Sequence, residues 1–146
     1  FPFVKKEHYF TLFGKKGFIE SQLLISSNVI DNFFDEFIYL YKKIKPCITL
    51  FSLKTITGEQ ELIRFEDNGI CVTFDFVNDN KSYFFLKKLD QICIKYKILP
   101  SIIKDSRINS DTFRKCYNQS ETFHNMLNKY DKNRIYQSEL SKRLKI

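Results

Sequence analysis

Apolar and polar residues alternate with a period of two in several short stretches, and with a period near 3.6 in two longer ones, so the chain mixes strands and amphipathic helices. His8 to Phe13 and Gly17 to Ile25 read as two strands around a Gly14-Lys15-Lys16-Gly17 turn. In the second strand Phe18, Glu20, Gln22 and Leu24 share one face, and Ile19, Ser21, Leu23 and Ile25 the other. Asn28 to Lys45 carries a broad apolar stripe of Val29, Ile30, Phe33, Phe34, Phe37, Ile38, Tyr41 and Ile44. Asn28 is the expected cap of this helix, and Pro46 stops it. Strands are expected at Ile48 to Lys54, Glu61 to Phe65 and Ile70 to Val77; in the last, Val72, Phe74 and Phe76 oppose Cys71, Thr73 and Asp75. Asn80 to Lys97 is the second helix, with Phe85, Leu86, Leu89, Ile92, Cys93 and Tyr96 on its apolar side. A short strand at Leu99 to Ile103 precedes small helices at Ser110 to Tyr117, Ser120 to Tyr130 and Ser138 to Leu144, with Ser110 and Ser120 as expected caps.

Two amphipathic helices need a surface on which to bury their stripes. The simplest arrangement lays both on one face of an antiparallel sheet, an α+β fold of ferredoxin-like layout followed by short C-terminal helices. The opposite sheet face is then uncovered by these helices and carries Glu20, Gln22, Ser52, Lys54, Thr73 and Asp75. Two readings stand: a face that is simply wet, as antiparallel sheets often are, or a platform for a ligand or another domain. Gln22 and Lys54 together suit a hydroxylated, anionic substrate.

Composition narrows the choices. The chain has 146 residues, 43% of them hydrophobic, enough for one packed domain. Its longest apolar runs are a few residues, such as Tyr83-Phe84-Phe85-Leu86, too short to span a bilayer. It begins at Phe1 rather than Met, as expected of a fragment or processed chain. The net charge is +7, but the basic residues come as scattered pairs such as Lys5-Lys6 and Lys87-Lys88, so solvated surface is the expected use rather than nucleic-acid binding. The four Gly are isolated, which leaves no phosphate-cradling loop. Cys47, Cys71, Cys93 and Cys116 form no C-x-x-C pair, so reduced, partly buried thiols in a cytoplasmic protein are expected and zinc is not. His8 and His124 stand alone and are expected to be structural or exposed.

Ile103-Lys104-Asp105-Ser106-Arg107 stands apart. Either it is a surface strand end with a local charge cluster, or Lys104 is held rigidly and stabilises negative charge on a cofactor or substrate.

Lys104-Asp105-Ser106-Arg107, followed by Thr112-Phe113 and Tyr117, resembles the K-D-S-R…F…Y signature of FAD-linked oxidases of the vanillyl-alcohol oxidase type, in particular the decaprenylphosphoryl-ribose oxidase branch. Gly17 to Gln22 resembles the family's G-F-I-Q-Y-Q strand, Phe51 to Lys54 its V-F-K strand, and Gly69 to Phe76 its G-x-x-(L/I)-x-x-D-F strand. Asp131, Arg134, Ser138-Glu139-Leu140 and Arg143-Leu144 resemble its ending. The resemblance implies that residues 1–100 are the latter part of a substrate domain. Residues 101–146 would be a tail returning toward an FAD-binding domain outside this chain. It implies FAD as cofactor, a carbohydrate alcohol as substrate, Lys104 as the catalytic lysine reaching flavin and substrate, and Ser101 near the cofactor. Gln22, Lys54, Glu20, Cys71 and Thr73 would line the substrate pocket. Glu20 replaces the family's glutamine, Thr73 its cysteine, Cys71 its asparagine and Ser101 its tyrosine, while Asp131-Lys132 replaces an aspartate-proline step. These departures point away from a polyprenyl-phosphate pentose and toward another hydroxylated sugar, nucleotide-linked and phosphorylated ones included. The alternative of a different class is a non-catalytic ferredoxin-like module for RNA or a small regulatory ligand.

Overall fold

A computed structural model describes residues 13–146. His8 and the strand expected from it lie outside the described residues except for Phe13, which is in a turn. After one 3-10 turn at Gly14–Lys16, the chain runs β1 (Phe18–Ser26), α1 (Ile30–Ile44), β2 (Ile48–Ile56), β3 (Gly69–Val77), α2 (Asn80–Tyr96) and β4 (Leu99–Pro100). Three short helices follow: α3 (Ser110–Cys116), α4 (Ser120–Tyr130) and α5 (Glu139–Leu144). The sheet order is β2-β3-β1-β4 and every pairing is antiparallel. This β-α-β-β-α-β order is the ferredoxin-like arrangement expected from the patterning.

Both helices lie against the same sheet face. Phe74 and Phe76, two residues apart on β3, point the same way. Phe37 of α1 stacks on Phe74 at 4.9 Å, and Phe85 of α2 lies 5.7 Å from Phe76. Phe37 and Phe85 meet edge-on at 5.6 Å, which closes the aromatic layer between the helices. Ile19, Leu23, Ile25 and Val72 complete that face, and all are buried. Each such side chain contributes about 1.5–3 kcal/mol by leaving water. The core continues without a break into the C-terminal helices through Phe113, Cys116, Tyr117 and Leu144.

α1 covers less of the sheet than its stripe suggests. Phe33 and Phe37 are buried, whereas Ile38 and Tyr41 stay exposed, as do Phe51 and Leu53 of the outermost strand β2. The contact of α1 with β3 runs through Phe37, stacked on Phe74. Across the helix layer, Glu36 accepts hydrogen bonds from Lys95 Nζ and from Tyr96 Oη at 2.6 Å, tying α1 to the end of α2.

Several boundaries differ from the expectations. Glu61 to Phe65 is loop, not strand: Leu62 takes a left-handed φ of 50°, and Arg64 closes a turn on the Glu61 carbonyl and pairs with Glu61 and Glu66. β4 ends at Pro100 because the chain turns at once; Asp105 N bonds back to the Ser101 carbonyl. Asn28 does not cap α1, where Val29 holds the N-cap position with no side-chain bond. Asn109 rather than Ser110 caps α3, and Gln119 precedes α4 without capping it, because its Oε1 accepts from Leu62 N instead. Asp79 and Ser138 cap α2 and α5 through Ser82 N and Ser141 N.

Gly69 of β3 pairs with Ser26 at the end of the β1–β3 ladder. A Cβ there would lie 2.1 Å from the Ile25 carbonyl oxygen. Gly69→Ala is therefore expected to destabilise the fold by about 1–3 kcal/mol or more, as overpacking against rigid backbone does. Urea unfolding monitored by circular dichroism measures it, and an unchanged midpoint would show that the β1–β3 end yields easily.

Candidate functional site

The pairing register lays the polar residues of three strands in rows across the sheet face turned away from α1 and α2. Leu50, Asp75 and Glu20 form one row, Ser52, Thr73 and Gln22 the next, and Lys54, Cys71 and Leu24 the third. Gln22 Nε2 donates to Thr73 Oγ1 at 3.2 Å. Burial pushes the Cys71 thiol up, opposed by hydrogen bonding from Thr73, the charge of Lys54 and hydrogen bonding from Gln22. The sequence-predicted pocket residues Gln22, Thr73, Cys71 and Lys54 are thus one group. The face is not bare, however. Cys71, Leu24 and Asp75 are buried, Glu20, Gln22 and Thr73 half-buried, and Lys54 exposed.

Lys104 reaches the same face from outside the sheet. Its Nζ lies 3.6 Å from Glu20 Oε1. The ammonium end remains accessible, with the Lys104 side chain 54% exposed and that of Glu20 24%. Ser101 is buried. Its amide donates to the Gln22 carbonyl at 2.8 Å, and its hydroxyl accepts from Lys104 N at 3.4 Å. Its side chain therefore closes the turn beneath Lys104 instead of lining the surface.

What holds this turn is the Arg107 cluster. Arg107 makes a two-pronged contact with Asp90 on α2, at 2.9 and 3.0 Å, and a third bond of 2.7 Å to Asp105. Asp105 is fully buried and Arg107 nearly so. Burial raises the Asp105 pKa, and the charge and hydrogen bonds of Arg107 pull against it. Burial also works against the Arg107 charge, but hydrogen bonding to Asp90 and the two carboxylate charges outweigh it and hold the pKa above its usual value. From the other side Arg143 of α5 donates to the carbonyls of Ile102 (2.7 Å), Asp105 (3.2 Å) and Ile108 (2.5 Å). Tyr117 Oη donates to the Pro100 carbonyl at 2.8 Å. Lys104 therefore projects from a turn whose backbone is held by two arginines and a tyrosine, while its own side chain stays largely exposed.

Sequence reasoning missed the Asp90 partner. Its only trace was a carboxylate placed four residues after Leu86 and three before Cys93, on the flank of the buried face of α2. The three-carbonyl clamp of Arg143 left no trace, because backbone acceptors have no sequence signature. Among the described residues, Phe18 is the only strand aromatic on the outer face by alternation, and its ring lies 5.0 Å from Phe13. Phe51, Phe74 and Phe76 face the helix side. That distribution does not favour base stacking on the sheet.

No protein-family model matches the chain, and no curated protein matches it.

Arg107→Ala would leave Asp105 buried without its cation. The expected loss is about 3–5 kcal/mol at neutral pH. The Asp105 pKa is raised in the fold, so its ionisation costs stability as pH climbs through that value. The deficit of the variant should therefore shrink on acidification, when Asp105 is neutral. Denaturation at several pH values measures both, and a deficit that grew on acidification would refute the assignment.

Proposed function

We propose that this chain is the later part of an FAD-dependent oxidoreductase that oxidises an alcohol group of a sugar or sugar phosphate, with the outer sheet face roofing the substrate. The observation that carries the reading is the convergence of Gln22, Thr73, Cys71, Lys54, Glu20 and the Lys104 ammonium on one face, from three strands and a braced turn. The alternation and the family resemblance point independently to Gln22, Lys54 and Thr73.

The chain's residues suit the ring end of FAD rather than its pyrophosphate. Lys104 offers an accessible cation at the rim of a polar face, while the isolated glycines offer no phosphate loop. The flavin-binding domain is then a partner outside this sequence. FAD, when bound, supplies the two-electron acceptor for the alcohol carbon. Gln22 and Thr73 bind and orient substrate hydroxyls through donors and acceptors already fixed by their mutual bond. Lys54 offers a charge to an anionic substituent. Lys104 stabilises negative charge that develops near the reacting hydroxyl, and the Glu20 carboxylate holds its ammonium over the face. The same reading puts the protein in the cytoplasm. Among the described residues, no helix is long and apolar enough to cross a membrane.

The test uses the parent polypeptide with the residues encoded upstream of Phe1. It should purify with bound flavin that hydroxylated sugars bleach anaerobically. Lys104→Ala should slow the bleaching by about 10²-fold or more with an unchanged melting temperature. The isolated 146 residues should not hold stoichiometric FAD. A parent without flavin removes the whole reading; near-normal bleaching by the variant removes Lys104 from it.

A further inference from the structure

The C-terminal helices enclose a second feature, remote in character from the sheet face. A cleft in two lobes, of about 460 and 270 Å³, runs between α3, α4 and α5, and His124 and Ile146 belong to both lobes. Arg114 stands in the larger lobe, and Arg134, Lys142 and Lys145 line the smaller. Glu121, in the larger lobe, is the one carboxylate side chain of the lining, and Ile146 adds the terminal carboxylate of the 146-residue chain. Four cations thus meet here, although the sequence scatters them over 32 positions, from Arg114 to Lys145.

These cations are partly pre-positioned and only partly used. Arg134 Nη2 donates to Asn128 Oδ1 at 3.0 Å and lies 3.4 Å from His124 Nδ1, which holds the guanidinium against α4. Arg114 Nη2 reaches the Lys145 carbonyl at 3.3 Å, bridging α3 and the end of α5. A guanidinium has five N–H donors, so both arginines keep donors free. Lys142 is offset by Glu139 at 2.9 Å, whereas no hydrogen bond or ion pair among the described residues engages the Lys145 ammonium. The larger lobe adds Asn118 and Ser120 beside Glu121, groups that pair with hydroxyls.

We propose that this cleft binds a small soluble phosphate monoester, the phosphate in the smaller lobe between Arg134 and Lys145 and the polar body in the larger lobe. The planar guanidinium fork of Arg134 and the free ammonium of Lys145 match a tetrahedral dianion. The larger lobe has the size of a small-molecule site. The site is independent of the proposed oxidoreductase function, since none of its residues lies on the outer sheet face.

The purified 146-residue chain suffices for the test. Isothermal titration at low ionic strength, with inorganic phosphate and with glycerol 3-phosphate as probes, should show saturable one-to-one binding, the ester at least as tight as phosphate. Arg134 and Lys145 have left-handed φ of 50° and 56°, where glycine is at ease. The double variant Arg134→Gly/Lys145→Gly therefore removes two cations without straining the fold. It should keep or raise the melting temperature and weaken both probes at least tenfold. Absence of saturable binding by the wild type overturns the proposal, as does unchanged affinity in the folded double variant. Capture by phosphatidylglycerol vesicles that soluble phosphate does not compete away also overturns it, in favour of a lipid surface.

Discussion

The antiparallel pairing of β1 with β3 is the constraint from which the rest follows. Nine consecutive pairs run from Phe18↔Val77 to Ser26↔Gly69 without a slip. A shift of one residue would turn every side chain of β1 to the opposite face. It would bring Glu20 and Gln22 under the helices and lift Ile19, Leu23 and Ile25 out of the core. The hydrophobic demand of α1 and α2 therefore fixes not only the core but also which polar groups meet on the outer face. β2 extends the same rows from the other edge of β3, after an irregularity between Ile48 and Leu50. At that irregularity the Thr49 hydroxyl bonds to the Asp75 carbonyl. Gly69 lets the pairing run to its last position, because Ile25 leaves no room for a side chain there.

The second constraint is the neutralisation of Asp105. A carboxylate with no solvent exposure is tolerated only where cations and amides surround it. Arg107 supplies one guanidinium bond and its own amide to it, and Asp90 balances the guanidinium in turn through a two-pronged contact. Such a cluster gains little net stability over apolar packing, but it specifies one geometry for the turn. Arg143 then stitches α5 onto three carbonyls of the same turn. Sheet, α2 and C-terminal helix thus meet beneath Lys104, and its position depends on the last residues of the chain as much as on the strand before it.

Charge is distributed along the same division. The outer sheet face is nearly balanced, with Glu20 beside Lys104 and Lys54 separate. The C-terminal helices instead gather guanidinium and ammonium groups around one cleft with a single opposing carboxylate side chain. Four of the chain's 24 basic residues line that cleft, and the others are spread over the rest of the sequence.

The sequence alone determined the two-layer fold, because periodicity reports which side of an element must leave water. The faces of Gly17–Ile25 and Ile70–Val77, the extent of Asn80–Lys97 and the polar set opposite the helices all follow from alternation. It could not determine where the helix caps fall, since Asn28, Ser110 and Ser120 were each chemically able to cap and only the local backbone path chose Asn109 or an uncapped start instead. Nor could it show that Glu61–Phe65 is loop, because a short apolar run has the same pattern in either state. Tertiary structure alone decided the Asp90–Arg107–Asp105 triad, the hold of Arg143 and the union of Arg114, Arg134 and Lys145 around one cleft. Apart from the local Asp105–Arg107 pair, those contacts join residues far apart in the chain through charges and backbone carbonyls. Neither leaves a periodic imprint, and only folding brings them within hydrogen-bonding distance.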